Sequence, residues 1–110
     1  MCSSDLEKVP GEGPHAVTVP GLVASLRDVW SKFGSRDWAS LVAPAERIAR
    51  EGFEINAYFS QNLKNRAALL AKDAAASAIY LPGGEPLPAG AFFRQIEVAD
   101  CLGKIGRAHV

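Results

Sequence analysis

The stretch 19–53 constrains the fold more than any other. It reads V-P-G-L-V-A-S-L-R-D-V-W-S-K-F-G, then S-R-D-W-A-S-L-V-A-P-A-E-R-I-A-R-E-G-F. Each half is an apolar pattern at helical spacing that stops at a glycine. In the first half Leu22, Val23, Leu26, Val29, Trp30 and Phe33 fall within an arc of roughly 120° at the helical repeat. Arg27, Asp28, Ser31 and Lys32 fall outside it. Pro20 suits a first helical turn, where its missing N–H is not needed. Gly34 suits a left-handed closing position.

The second half predicts a helical run with Asp37 as its N-cap. Trp38, Leu41, Val42, Ala45, Ile48 and Ala49 share one face. Pro44 predicts an interruption, because its ring would meet the carbonyl of Ser40. The expectation is a short turn to about Val42 and a new start with Pro44 in its first turn. Glu46 and Arg50 make a favourable i,i+4 pair. Gly52 ends the run, with Phe53 folding back onto the last turn.

Elsewhere the punctuation is clear. Pro10, Gly11, Gly13, Pro14 and Pro20 make the first part of the chain extended and irregular, with a short strand expected at 15–19. A third helix is expected over 56–72, with Phe59, Leu63, Ala67 and Leu70 as its stripe and Gln61, Asn62, Lys64 and Asn65 in solvent. Asp73 caps a short helix over 74–79. Pro82-Gly83-Gly84-Glu85-Pro86 and Pro88-Ala89-Gly90 are turns, the first of them bringing 79–81 against Leu87. A last helix is expected over 95–104, with Ile96, Val98, Ala99 and Leu102 as apolar members. The fold class is therefore mainly α, four to five helices with one short hairpin-like turn, in a chain of at most one domain; the family resemblance given below implies that 7–104 is a fragment and not a complete domain.

Composition excludes several functions. Acidic and basic residues balance at 12 each, so no basic face points to nucleic acid and no arginine–lysine cluster to an anionic membrane. The longest apolar run falls far short of the ~20 residues that span a bilayer. The start has neither a basic n-region nor an apolar h-region. Both ends carry a distinct signature: Met1-Cys2-Ser3-Ser4-Asp5-Leu6 and Ile105-Gly106-Arg107-Ala108-His109-Val110 resemble a translated short-read sequencing adapter and its reverse complement. On that reading 1–6 and 105–110 are artefacts, excluded from fold reasoning, and 7–104 is the biological part. Setting Cys2 and His109 aside leaves Cys101 and His15, too few for a disulfide framework or a metal site.

No residue stands out as catalytic, substrate-binding or metal-ligating. Cys101, in a helix with apolar neighbours and no histidine nearby, reads as packing. His15 lies in a Gly/Pro-rich stretch. Trp30 and Trp38 fall on apolar stripes and read as core or interface. Gly11-Glu12-Gly13 and Gly83-Gly84 lack the strand–glycine–lysine–helix context of a phosphate loop. Glu46, Glu51 and Glu54 are spaced for a solvated helical face, as are Arg47, Arg50 and Arg66. Asp37 is a cap. No cofactor is implied.

The motifs G-P-H-A-V-T-V-P-G, W-S-K-F-G, D-W-A-S-L-V-A-P-A, R-I-A-R-E-G-F, I-Y-L-P-G-G-E-P-L-P-A-G and F-F-R-Q, in that order over 13–95, resemble the large subunit of the gamma-glutamyltranspeptidase (glutathione hydrolase) family. After Arg94-Gln95 the family continues with a proline, an acid and an L-A-x-x-L helix, whereas this chain reads I-E-V-A-D-C-L. The resemblance implies an N-terminal-nucleophile hydrolase with an αββα core, made as a precursor that cuts itself. A threonine leading the small subunit attacks the gamma-glutamyl carbonyl, with its α-amine as base. Backbone donors hold the oxyanion, and a large-subunit arginine upstream of this stretch grips the substrate carboxylate. The glutamyl group of a substrate such as glutathione then passes to water, an amino acid or a peptide. Thr18, the only threonine, lies in V-T-V-P-G and not at a cleavage junction, so no catalytic residue carries over.

Several expectations follow from the resemblance. The partners are the small subunit of the same precursor and a gamma-glutamyl peptide, with no nucleic acid and no membrane. The compartment would be periplasmic or extracellular. Acylases for cephalosporins and capsule-processing enzymes share the scaffold, which leaves the substrate open. A free-standing helical interaction module without catalysis is the competing reading. Helices made to pack on a larger core should expose apolar area, at Trp30, Phe33 and Trp38 above all.

Overall fold

A computed structural model describes residues 10–108. The adapter-like segment 1–6, together with His109 and Val110, lies outside the described residues. The described chain is mainly helical and falls into two units, divided between Ser35 and Arg36. Its helices are α1 (Leu22–Phe33), α2 (Trp38–Glu51), α3 (Ala57–Leu70), α4 (Ala74–Tyr80) and α5 (Ile96–Arg107). Two short strands, β1 (Phe53–Glu54) and β2 (Phe92–Phe93), complete it, with tight 3-10 turns at Pro14–Ala16 and Pro82–Gly84.

The first unit is α1 and the segment leading to it. His15 lies in a tight turn and 17–20 has no regular secondary structure, so the strand expected at 15–19 is absent among the described residues. Gly21 is the N-cap of α1, which leaves Pro20 just outside the first turn. Gly34 closes the helix by donating its N–H to the Trp30 carbonyl at 2.7 Å. It does so in extended conformation, φ −72° and ψ 137°, so the left-handed closure expected there is not used.

Side-chain caps start three of the four α-helices of the second unit, α2, α3 and α4. Asp37 Oδ2 accepts from the Ser40 N–H at 3.1 Å, Asn56 Oδ1 from Phe59 at 2.8 Å and Asp73 Oδ1 from Ala76 at 2.8 Å. Each cap stabilises its helix by about 1 kcal/mol.

Pro44 lies inside α2 and does not divide it. Pro44, Ser40 and Arg47 are all exposed, so water can solvate the carbonyl that the ring deprives of its partner. The other side of α2 packs on α5. There Ala99, Gly103 and Gly106 are buried. A Cβ built on Gly106 would sit 3.5 Å from Val42, and one on Gly103 would sit 2.9 Å from Glu46 Oε1. This close approach of α2 and α5 offsets the hydrogen bond lost at Pro44. Trp38, buried at the start of α2, donates its indole N–H to the Ile105 carbonyl at 2.9 Å. That contact and the burial of Gly106 carry α5 past position 104 to Arg107.

The sheet pairs segments distant in sequence. β1 and β2 run antiparallel with Phe53 opposite Phe93 and Glu54 opposite Phe92. The pairing expected between 79–81 and Leu87 does not form. Phe53 joins β1 instead of folding back on α2. Main-chain bonds continue the clasp in both directions: Ile55 N–H to Ala91 O at 2.9 Å, Gly90 N–H to Ile55 O at 2.8 Å, and Gln95 N–H to Ala49 O at 2.9 Å. Within the loop so closed, Ile55, Leu63 and Phe93 form the core, with Phe59, Leu70, Tyr80 and Leu87 packed around them. Ser60, also buried, donates its hydroxyl to the Leu87 carbonyl at 3.0 Å.

Gly52 makes the turn from α2 into β1. Its φ is +90°, and a Cβ there would lie 2.6 Å from both Arg94 Cγ and Phe92 Cε1 and 2.8 Å from Phe93 O. Gly83 also has positive φ, at +69°, but open space around it. Gly52→Ala should therefore cost about 1–3 kcal/mol in backbone strain plus a further penalty from crowding. Gly83→Ala should cost only about 1–2 kcal/mol. Urea-denaturation midpoints of the two variants test the order; equal losses would show that the close approach at Gly52 is unimportant.

Candidate functional site

The polar chemistry of the second unit centres on Arg50. Its Nη2 donates to Asp100 Oδ1 at 2.9 Å and to Glu46 Oε1 at 3.2 Å. The Glu46–Arg50 pair follows the helical spacing; the bond to Asp100 joins α2 to α5 and has no local signal in the sequence. Hydrogen bonds to Asp100 and then Glu46 raise the guanidinium pKa above its ordinary value. A raised basic pKa stabilises the fold below the unfolded value, and that stabilisation is lost only as pH rises through the folded one. Both lie far above neutrality, so the titration of Arg50 itself gives stability no pH dependence near neutral pH. Arg50 and Asp100 are exposed and Glu46 is half-buried, so salt screens the cluster.

A groove of about 310 Å³ lies between α4 and the start of α5. Ile79, Ile96 and Val98 give it an apolar lining; Arg94, Gln95 and Glu97 are its polar members. Arg94 Nε donates to the Glu51 carbonyl at 3.0 Å and its guanidinium sits 5.4 Å from the Phe92 ring. Gln95 Nε2 donates to the Tyr80 hydroxyl at 3.4 Å. Arg94 and Gln95 therefore act as struts, and the lining holds no serine, threonine, cysteine or histidine to act as nucleophile or base.

The residues weighed from sequence are spread out. Cys101 is a free, exposed thiol, which corrects the expectation that it packs: it points away from the Ala99–Gly103 side of α5. His15 and Thr18 are exposed in the first unit. Asp37 is a cap. Glu51 and Glu54 are exposed, but Glu54 lies in β1 and shares no helical face with the other two. Arg47 and Arg66 are exposed. Phe33 is exposed as expected, Trp30 is half-buried with the Arg27 guanidinium 4.9 Å from its ring, and Trp38 is buried, contrary to expectation. Among the described residues no group of three or more His, Cys, Asp or Glu side chains is arranged to hold a metal ion, and no helix is long and apolar enough to cross a membrane.

The arrangement is a helical scaffold in which Arg50, Glu46 and Asp100 bond one another and Arg94 and Gln95 brace neighbouring elements. Comparison with known proteins says which scaffold. The gamma-glutamyltranspeptidase family model matches residues 1–110. The chain belongs to that family. Glutathione hydrolase 2 of Arabidopsis thaliana is 35% identical over 94 residues, which are 86% of this chain and 16% of that protein. The acylase ACY 1 proenzyme of Pseudomonas sp. strain V22 is 34% identical over 109 residues, 87% of this chain and 20% of that protein. The crystal structure of Helicobacter pylori gamma-glutamyltranspeptidase matches with a TM-score of 0.83 at 25% identity, over 92% of this chain and 29% of that one. The chain thus spans about a fifth or less of the two curated relatives.

In this member of the gamma-glutamyltranspeptidase family, Arg50→Gln should lower the melting temperature slightly at low ionic strength. The deficit should vanish near 1 M salt, where the screening length is about 3 Å. A deficit that persists at high salt would mean that the cluster acts through packing.

Proposed function

We propose that the chain is a helical part of the large subunit of a self-processing gamma-glutamyltransferase or glutathione hydrolase. The parent protein cleaves gamma-glutamyl amides such as glutathione and transfers the glutamyl group to water or an amino acid. The observation that carries this is the combination of 35% identity to a glutathione hydrolase with the structural match to the H. pylori enzyme over 92% of the chain. The reacting groups belong to other parts of the parent: a threonine that leads the small subunit and an upstream arginine that holds the substrate carboxylate. The part played by 7–104 is mechanical. Residues 1–6 and 105–110 are read as adapter-derived. No observation favours a free-standing interaction module.

Expression of the longer gene should yield a precursor that splits into two subunits and releases the chromophore from a gamma-glutamyl anilide. The 110-residue chain should release none. Processing without gamma-glutamyl turnover, accompanied by hydrolysis of an amide lacking the glutamyl amino group, would assign the parent to the acylases instead. Turnover by the 110-residue chain alone would refute the reading.

A further inference from the structure

We infer that the groove between α4 and the start of α5 binds a small zwitterion with an aliphatic body, the chemistry that a free apolar amino acid or a dipeptide presents. The inference does not draw on the gamma-glutamyl reading. Every lining residue lies within 75–98, inside the second unit, so the shape of the groove is independent of where the first unit sits.

Three observations carry it. First, apolar side chains converge there. Ile79 on α4 and Ile96 and Val98 on α5 are 41%, 47% and 42% exposed, and all three line this one concavity. Ala78, with a single methyl group, leaves room between the walls. At about 310 Å³ the space lies at the lower end of the ~300–1,000 Å³ typical of small-molecule sites. An aliphatic group seated in it removes those side chains from water. Second, the two charges on the groove are available. Arg94 uses Nε to hold the Glu51 carbonyl, and among the described residues nothing hydrogen-bonds its two Nη groups. Glu97 makes no hydrogen bond or ion pair among the described residues. A guanidinium fork suits a carboxylate, and the Glu97 carboxylate suits an ammonium. A carboxylate without an amine would meet repulsion from Glu97, and an amine without a carboxylate would meet it from Arg94; a ligand carrying both charges complements both. Third, the groove is braced before anything binds. Gln95 Nε2 donates to the Tyr80 hydroxyl at 3.4 Å, from one wall to the other, and the Gln95 N–H bonds the Ala49 carbonyl at 2.9 Å. A site already held in shape loses less ordering freedom on binding.

The test is a titration of the 110-residue chain followed by amide NMR. L-leucine or L-leucyl-L-leucine should move the Ala78, Ile79, Ile96 and Val98 signals saturably, with a dissociation constant on the order of 1 mM. The tighter of the two tells amino acid from dipeptide. Isocaproate lacks the amine, isoamylamine lacks the carboxylate and glycine lacks the aliphatic body; each should bind roughly tenfold or more weakly. Glu97→Gln should weaken the zwitterion roughly tenfold and bring isocaproate to within about twofold of it. Glu54→Gln, which alters an exposed acid outside the groove, should change neither. No saturable shift at these residues with either zwitterion would overturn the proposal. So would isocaproate or isoamylamine binding as well as the zwitterion, or an unchanged affinity in Glu97→Gln. Calorimetry on the longer gene product should show the same Glu97→Gln deficit; its absence there would mean that the parent covers the groove, and would overturn the site for the parent. None of these outcomes bears on gamma-glutamyl turnover, whose absence would sink the functional reading and leave the groove standing.

Discussion

The packing of Phe93 is the interaction on which the second unit depends. Its ring lies 5.9 Å from Phe53 in an edge-to-face arrangement, 5.8 Å from Phe59 and 5.6 Å from Tyr80. Such pairs contribute about 0.5–1.5 kcal/mol each beyond the area they bury. The partners come from β1, α3 and α4, so a single side chain on β2 ties together the strand and both α-helices of the closed loop. The clasp of main-chain bonds from Ala49 to Ile55 and from Gly90 to Gln95 holds Phe93 at that point. It also sets the start of α5, because Gln95 is both a clasp residue and the N-cap. The packing of α5 on α2 follows from where the clasp releases the chain.

What the sequence makes legible is what local chemistry determines. Asp37, Asn56 and Asp73 cap helices through bonds to the third residue ahead, and the stripe of α3 buries Leu63 and half-buries Phe59 and Leu70. Those signals lie within one or two helical turns. The clasp is different: Phe53 and Phe93 are far apart along the chain, and two-residue strands carry no alternation to announce them. The same holds for Asp100 on Arg50 and for the indole of Trp38 on Ile105. Pro44 shows tertiary packing overriding a local rule. A proline on the exposed side of a helix costs one hydrogen bond, and the α5 contact on the opposite side keeps the helix whole.

Several of the motifs that carry the family resemblance coincide with the joints of the structure, while W-S-K-F-G and D-W-A-S-L-V-A-P-A lie mostly on α1 and α2. R-E-G-F supplies Gly52 and the entrance to β1. L-P-G-G-E-P-L-P-A-G supplies Gly83, Gly84 and Gly90, all with positive φ. F-F-R-Q supplies β2 and the strut Arg94. V-P-G supplies the N-cap of α1. A helical face accepts many apolar residues, but a turn with positive φ or a crowded backbone accepts few. Family membership was therefore readable from short, individually weak motifs in a fixed order. The catalytic chemistry was not, because the residues that form these joints are glycines, prolines and aromatics that shape the chain without reacting.

The same logic applies to α5. It seats on α2 through its buried side, Ala99, Gly103 and Gly106. Two of the contacts it makes there ask little of sequence: a main-chain carbonyl at Ile105, which any residue provides, and the absence of a side chain at Gly103 and Gly106. Arg107 and Lys104 in the last turn suit the negative end of the helix dipole. A helix joined through backbone and small residues tolerates replacement of its outward side chains, Cys101 among them.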